Sequence, residues 1–360
     1  MQAMNRIRQT VRAWLKHPRA RFVAGGVALF LVSCAVLVLA LSGVLRKGGN
    51  VDAGGIEVPS STARMVARRL DGMPAPVGEE ALVPFAVMVE NHPDARPLSG
   101  IAKASIVIEA PVEGGITRLF ALYDGTSTVE QVGPVRSARP YFVDWAYGWN
   151  ALYVHVGGSP DALTKINALG ESFRDLNEFF AGRSFWRSGA RSAPHNVYTS
   201  GELMHEAWLQ QGATSSQARI AWHFKDAASS TDRGDGHRIS IPYGGSYSVI
   251  WAYDKERNVY GRSLLGRPQA DQDGTAYEAE NVLVMKTDQK VLDAIGRLEV
   301  RTSGSGDAIG YRDGNKYILR WRRSPGEPIR FEAADGSEFL FVRGKTWIEV
   351  TTDDRIFGGI

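Results

Sequence analysis

The chain has a single cysteine, Cys34, among its 360 residues. One cysteine excludes an internal disulfide. Because Cys34 lies inside a long apolar run, the polar remainder of the chain also lacks a thiolate nucleophile and a cysteine-based zinc site. A domain of this size can rely on a hydrophobic core in place of disulfides, so an oxidising compartment is compatible with the sequence.

Acidic residues are absent from the first 47 positions, which hold eight Lys or Arg residues. Subtracting these eight from the 42 basic residues of the chain leaves 34 basic and 39 acidic residues for positions 48–360, a net charge of −5. A nucleic-acid-binding surface would need an excess of basic residues, so we expect no nucleic-acid partner. The basic N-terminus instead indicates membrane topology and contact with anionic lipid.

Charged side chains are missing altogether from residues 22–45. About 20 apolar residues are enough for a helix to span a hydrocarbon core. We therefore predict a basic cytoplasmic tail over 1–21, an uncleaved transmembrane signal anchor over 22–45, and a location in the cell membrane. The protein would be single-pass, with its N-terminus cytoplasmic and its C-terminal domains extracytoplasmic.

Lipidation of Cys34 is the alternative anchor, because the sequence Leu-Val-Ser-Cys over 31–34 has the form of a lipoprotein processing site. Against it, eleven further uncharged residues follow Cys34, where a processed lipoprotein usually turns polar. Either anchor tethers the rest of the chain outside the cytoplasm.

The remaining chain divides by composition. Residues 46–82 are rich in Gly, Ser and Pro, which predicts a linker, with a short helix around Thr62–Leu70. Residues 83–212 predict a mixed α/β N-terminal domain, and residues 237–355, where Asp-Gly pairs separate short apolar segments, predict a β-rich C-terminal domain. Together with the anchor helix, the predicted fold class is α+β.

Within the N-terminal domain, apolar runs and amphipathic segments predict individual elements. The predicted strands are 84–90, 105–109, 116–123 and 152–156, and the predicted helices are 138–149, 160–169 and 202–211. A link of a few residues joins the second and third strands, so we expect them to pair as an antiparallel hairpin.

Polar residues lie near the ends of the predicted strands and in the turn between the second and third strands. They are Glu90, His92, Glu109, Glu113, Arg118 and His155. If the first, second and fourth strands run parallel, all six lie at one edge of the sheet, where ligands of α/β sheets usually bind. We predict a shared polar ligand-binding cleft; the alternative is a set of salt bridges and turn caps on the rim of a sheet.

Two further groups are candidates for the same cleft. Arg136 and Arg139 begin the first predicted helix on one face, where they oppose the helix dipole and suit an anion, which could be an internal glutamate or a carboxylate or phosphate ligand. Ser159 precedes Pro160 as an N-cap, and the glycines before it would let a ligand approach. Ser159 does not lie in a Gly-x-Ser-x-Gly motif, so a serine hydrolase is not favoured.

The long loop over 182–200 adds Arg187, His195 and Asn196 as ligand-binding candidates. His195 could be a base, a ligand or a structural histidine. His92, Asp94, His155 and His195 could in principle bind a metal, but no fixed metal-binding spacing such as HExxH is present. We therefore predict neither a bound metal nor a cofactor.

Several long motifs of the chain resemble those of one family. They are VMVENHPDARPLSGIAKASIVIEAPVEGGITRLFALY, VGPVRSARPYFVDWA, VHVGGSPDAL, RSFWR, APHNVYT and GKTWIEVTTDD. The sequence over about 70–352 is similar to the YerB-like family of predicted bacterial lipoproteins, built from the N- and C-terminal parts of domain of unknown function 3048. The resemblance implies a surface-anchored envelope protein and no particular activity. The apolar span beyond Cys34 departs from the lipidation typical of that family.

Three functions are compatible with these residues. The first is a non-enzymatic binding protein whose cleft recognises a cell-wall-related ligand such as a peptidoglycan fragment, or an envelope protein. The second is a glycosidase-type cell-wall hydrolase, which needs two carboxyl groups about 5–10 Å apart in an open cleft. The third is a scaffold of an envelope complex, with an exposed apolar patch on the β-rich domain. Arginines beside the glutamates would lower their pKa, which favours binding over general-acid catalysis.

Overall fold

The computed structural model describes residues 64–212, 219, 222–244 and 247–356. The predicted tail over 1–21 and anchor over 22–45 lie outside these residues, as does most of the predicted linker. Among the residues so described, no helix combines the length and the apolar composition needed to span a bilayer.

The described residues form three α-helices, which are α1 (Pro140–Trp149), α2 (Pro160–Leu169) and α3 (Gly201–Gln210), and 23 β-strands. In chain order the strands are β1 (Met65–Ala67), β2 (Pro74–Pro76), β3 (Phe85–Glu90), β4 (Ile106–Pro111), β5 (Thr117–Tyr123), β6 (Leu152–His155), β7 (Arg174–Asn177), β8 (Trp186–Arg187), β9 (Val197–Tyr198), β10 (Phe224–Lys225), β11 (Ile239–Gly244), β12 (Tyr247–Asp254), β13 (Val259–Leu264), β14 (Arg267–Pro268), β15 (Glu278–Ala279), β16 (Asn281–Lys286), β17 (Gln289–Val291), β18 (Leu298–Val300), β19 (Gly304–Arg312), β20 (Asn315–Arg323), β21 (Arg330–Ala333), β22 (Phe341–Val342) and β23 (Thr346–Thr351).

The fold is mixed α/β and consists mostly of strands, which confirms the predicted class in its coarse form. The strands and helices predicted between 84 and 211 are confirmed, with ends that differ by no more than two residues. The short helix predicted around Thr62–Leu70 is wrong. Met65–Ala67 pairs antiparallel with Pro74–Pro76, because Gly72 adopts a left-handed φ of 71° that closes a tight turn after Arg68.

Ten strands form one mixed sheet in the order β21-β20-β19-β16-β23-β4-β5-β3-β6-β7. One half of this sheet comes from the predicted N-terminal domain and the other from the predicted C-terminal domain. They meet where β23 pairs in parallel with β4, with Thr346 opposite Ile106 and Glu349 opposite Glu109. The domain boundaries themselves stay a prediction, but the backbone hydrogen bonding runs without a break across them.

Both faces of the large sheet are covered. Helices α1 and α2 pack on one face, which we call the helix face, and the smaller sheet of β11–β15 packs with α3 on the other, which we call the sheet face. All six residues of β3 are buried, as expected for a strand covered on both sides. In α1 the buried aromatics Tyr141, Phe142, Trp145 and Trp149 supply the apolar stripe.

The strand directions decide where polar residues meet. Strands β3, β4 and β6 run parallel to one another, so the condition set for a shared edge of the first, second and fourth predicted strands is met, and β7 is parallel to β6. Their carboxyl ends therefore lie at one edge, together with the start of the antiparallel strand β5. Helix α2 begins just after β6 at the same edge.

Candidate functional site

Side-chain alternation along the strands divides the predicted site residues between the two faces of the sheet. Met88 belongs to the core of the helix face and Val89 to that of the sheet face, so Glu90 turns toward the helix face and Asn91 away from it. By the same alternation Arg118 and His155 belong to the helix face, whereas Glu109 belongs to the sheet face. The edge predicted from sequence therefore holds two separate groups.

Glu90 connects two of the predicted residues on the helix side of this edge. Its buried carboxylate lies 3.0 Å from Arg136 Nε through Oε1 and accepts a hydrogen bond of 2.7 Å from His195 Nδ1 through Oε2. The His195 ring stacks on His92 with centroids 5.3 Å apart. Four predicted residues thus lie together, although they come from the end of β3, the segment before α1 and the loop between β8 and β9.

Arg118, Arg136 and Arg139 form what we call the arginine cluster. Arg139 binds Glu113 through two hydrogen bonds of 2.6 and 2.9 Å. Burial would raise the pKa of Glu113, but the hydrogen bonds and the charge of Arg139 outweigh it and hold that pKa below its usual value. The internal-glutamate alternative considered for Arg139 is therefore what the structure shows.

Arg118 differs from the other two arginines because it forms no ion pair with any of the described residues. It is 5% exposed, its Nη1 donates 2.7 Å to the carbonyl of Ser137, and its buried Nε has no hydrogen-bond partner among them. Burial lowers the pKa of Arg118 to about 10, and the charges of Arg139 and Arg136 act in the same direction. The arginine cluster thus holds three guanidinium groups against the two carboxylates of Glu90 and Glu113.

His155 and Ser159 have structural partners near this edge. Fully buried His155 lies 2.6 Å from Asp175 Oδ1 through Nε2 and 2.7 Å from the Gly157 carbonyl through Nδ1. Ser159 accepts a hydrogen bond of 3.3 Å from the backbone N–H of Ala162, which confirms its predicted N-cap role for α2. Neither side chain contacts Glu90 or His195.

The remaining loop candidates lie beside β7. Arg187 donates 2.8 Å to Glu178 and 3.3 Å to the side-chain oxygen of Asn196, and both arginine contacts are exposed. His195 is therefore the loop residue that joins the Glu90 group, while Arg187 and Asn196 tie the loop to the end of β7.

Glu109 lies in a buried polar network between the two sheets. Its side chain has no exposed surface, it pairs with the buried Arg262 of β13, and it accepts 2.6 Å from the Thr117 hydroxyl. Glu349 lies on the neighbouring strand and accepts hydrogen bonds from Tyr243 at 2.5 Å and Trp251 at 2.8 Å. Glu109 is thus separated by the sheet from the arginine cluster, and it does not share a cleft with Glu113.

Comparison with known families decides what kind of chain this is. The model described as "Protein of unknown function (DUF3048) N-terminal domain" matches residues 70–214, and that of the DUF3048 C-terminal domain matches residues 239–348. The chain belongs to the DUF3048 family. This confirms the resemblance inferred from its motifs.

This DUF3048 chain is similar to YerB of Bacillus subtilis both in sequence and in its solved structure. The protein named "Putative lipoprotein YerB" of strain 168 is 32% identical over 296 residues, which cover 81% of this chain and 88% of the relative. The crystal structure of YerB protein is similar in fold, with a TM-score of 0.72 and 31% identity, over 81% of this chain and 98% of that one. The similarity covers nearly the whole of YerB.

All twelve candidate residues lie within the DUF3048 N-terminal match, but sequence reasoning missed partners that the C-terminal match supplies. Arg262 lies in β13 between the buried Tyr260 and Leu264 on the same face. The alternation of apolar residues along β13 places Arg262 on its buried face, and a charged residue there indicates a buried partner of opposite charge. Glu349 follows buried Trp347 in the same way. Arg191 was also missed; its guanidinium donates to the carbonyls of Ala95 and Pro97 and joins two loops of the site.

Proposed function

We propose that this DUF3048 protein is a membrane-tethered extracytoplasmic binding protein, and that its arginine cluster takes an anionic group of a cell-wall-related ligand such as peptidoglycan. Two features support the location. The uncharged run over 22–45 follows a basic tail, and the Bacillus subtilis relative is named as a lipoprotein. The anchor is either the uncleaved helix or a lipid on Cys34.

The unpaired guanidinium of Arg118 carries the proposal. Removing a cation from water costs on the order of several kcal/mol unless an opposite charge compensates it. The nearest carboxylates are already engaged, because Glu113 binds Arg139 and Glu90 contacts Arg136 and His195. A bound carboxylate or phosphate would supply the missing charge, and partly exposed Arg136 gives it access.

Exposed aromatic rings after the carboxyl end of β7, at the same edge of the sheet as the arginine cluster, suit a ligand that contains sugar. Phe180 is 88% exposed and follows β7 by three residues, while the ring of Phe179 packs over Gly157. Contiguous exposed apolar surface often marks a site that binds a ligand or a partner. An anionic glycan-peptide would engage both the arginine cluster and these rings.

The hydrolase alternative receives less support. A general acid needs a raised pKa, and the pKa of Glu113 is lowered by Arg139. Glu109 has no exposed surface and cannot act with Glu113 across an open cleft. A specific observation does favour the scaffold alternative, because Val291, Leu292 and Ile295 are exposed on the β17–β18 hairpin of the β-rich half.

The binding proposal is tested with the full-length chain in mild detergent and purified peptidoglycan sacculi. We expect the wild type to sediment with the sacculi without releasing soluble fragments. Arg118→Gln should weaken binding about tenfold or more, as expected for one charge-assisted contact. Phe180→Ala, a surface change that leaves the fold intact, should weaken binding by a smaller factor. The thermal melting temperature of each variant checks its folding.

Arg322→Gln is the control. Arg322 is an exposed arginine of β20 that pairs with Glu332 of β21, at the opposite end of the large sheet from β6 and β7. It should bind like the wild type. Unchanged binding by folded Arg118→Gln, or absence of sedimentation by the wild type, would overturn the proposal. Release of fragments would instead support the hydrolase.

A further inference from the structure

We propose that His92, Asp94 and His195 form a binding site for a divalent transition-metal ion of the Zn²⁺ class, with Glu90 as the group that orients His195. We call these three residues the His–Asp cluster. The inference differs from the proposed function, since it concerns a metal and does not require a cell-wall ligand.

The three side chains converge from two loops. One potential ligand atom from each residue lies within 4.8 Å of the others. His92 Nδ1 is 3.6 Å from Asp94 Oδ2 and accepts a hydrogen bond of 3.2 Å from the backbone N–H of Asp94, so an ion bound at this nitrogen would replace that hydrogen bond. Two ligands bound to one zinc ion at about 2.0–2.2 Å in tetrahedral geometry are roughly 3.5 Å apart. The His92–Asp94 pair already has this spacing, and the other separations, none of them above 4.8 Å, would shorten by up to about 1 Å on binding.

Glu90 supplies an independent observation that points to a metal. Zinc-binding histidines typically donate their second ring N–H to a carboxylate, which fixes the tautomer and raises ligand basicity. His195 Nδ1 donates to Glu90 Oε2 at 2.7 Å, so Nε2 is left as the ligand nitrogen. Glu90 is buried, and its other oxygen lies 3.0 Å from Arg136 Nε, so the carboxylate is itself held in place.

The two loops are held together without an ion. Arg191, from the loop of His195, donates 2.5 Å to the Pro97 carbonyl and also donates to the Ala95 carbonyl, in the loop of His92 and Asp94. Arg96 donates 2.6 Å to the carbonyl of Asn91 and fixes the start of the same loop. The backbone of the two loops that carry the His–Asp cluster is therefore held in place by the protein.

The donor set determines the class of ion. Two imidazoles and one carboxylate suit Zn²⁺ and neighbouring transition metals, whereas Mg²⁺ and Ca²⁺ prefer oxygen ligands only. The side chains of His92 and Asp94 are 39% and 73% exposed, so a fourth coordination position would face solvent. Three protein ligands with one open position is the arrangement that binds water or an anionic group.

The experiment measures Zn²⁺ binding to the full-length chain in detergent, produced without a polyhistidine tag and stripped with a chelator. Titration against a chromophoric zinc chelator should give one ion per chain. His92→Ala and Asp94→Ala, both at exposed positions, should each lower the affinity at least about tenfold, and Glu90→Gln by about 10- to 100-fold through His195. Bound Zn²⁺ should also raise the melting temperature of the wild type but not of the double variant His92→Ala/Asp94→Ala.

His223→Ala is the control, because His223 is an exposed histidine that pairs with Glu338 away from the cluster. It should bind Zn²⁺ like the wild type. Absence of Zn²⁺ binding by the wild type, or equal affinity in the folded double variant, would overturn the metal site. Sedimentation of the chelator-treated wild type with sacculi tests the binding proposal separately, so failure of one leaves the other measurable.

Discussion

At the scale of single residues, Glu349 shows how burial controls ionisation. Burial raises the pKa of Glu349 to about 8, and the neighbouring Glu109 adds to the effect, while Arg262 and the hydrogen bonds from Tyr243 and Trp251 oppose it. Burial alone would lower the pKa of Arg262, but the two glutamates raise it. The folded protein therefore favours the protonated form of Glu349.

This arrangement predicts that the protein loses stability as the pH rises. Because the folded state holds the Glu349 proton more tightly than the unfolded state, its contribution is complete below about pH 4.5 and is lost between there and pH 8. The free energy of unfolding in urea should fall by at most about 1.4 kcal/mol per pH unit across this window. Glu349→Gln should flatten that slope, and the exposed change Glu256→Gln should leave it as in the wild type. An unchanged slope in Glu349→Gln would refute the assignment.

The sequence predicted the positions of individual polar residues better than it predicted which residues they contact. The strand ends of Glu90, Glu109 and His155 were predicted, because apolar runs mark where a strand stops. The face each side chain takes depends on register, and a shift of one residue reverses it. The separation of Glu109 from Glu90, and the inward charges of Arg262 and Glu349, could therefore not be predicted without the sheet order.

At the scale of elements, α1 shows packing overriding intrinsic preference. Gly148 lies in its last turn, where alanine would normally stabilise a helix by about 1 kcal/mol. A Cβ atom there would lie 2.4 Å from the carbonyl oxygen of Glu327, a backbone atom that cannot move away on its own. The helix can pack against this segment only because residue 148 has no side chain.

Gly148→Ala is therefore expected to destabilise the protein, on the order of 1–3 kcal/mol in urea unfolding, as overpacking does. The matched control is Gly182→Ala, at a position where a Cβ atom would meet nothing within 4 Å and the φ angle is not left-handed. It should be close to neutral. If Gly148→Ala were as stable as the wild type, the close approach of α1 to residue 327 would be refuted.

Strand β7, one of three strands between residues 83 and 212 that were not predicted, was missed for a clear reason. Strand β7 has the sequence Arg-Asp-Leu-Asn, with one apolar residue, and it lies at the edge of the large sheet. Edge strands need only one buried face and give a weak apolar pattern. By contrast, β3 and β4 are buried on both sides and were evident from sequence.

At the scale of the whole molecule, the two DUF3048 parts complete one another. Strand β23 pairs with β4, and Arg262 neutralises Glu109. Asp271 accepts hydrogen bonds from the backbone N–H groups of Ile101 and Ala102, at 3.1 and 2.8 Å, and Lys345 donates to the carbonyls of the same two residues. No local pattern in the sequence predicts this parallel pairing, since its strands are about 240 residues apart.

These contacts predict that the described residues unfold as one cooperative unit. A fragment of residues 64–212 alone would expose the edge of β4 and the apolar face of the large sheet that β11–β15 cover in the whole chain, so it would lose much of its buried apolar area. It should lack a cooperative urea transition and near-ultraviolet circular dichroism. The control is the full-length chain with a protease site inserted between Gly212 and Trp222. After cleavage its halves should elute together and keep the native signal, because the sheet and the Arg262–Glu109 pair do not depend on that connection. Cooperative unfolding of the isolated 64–212 fragment would show instead that the shared sheet contributes little to its stability.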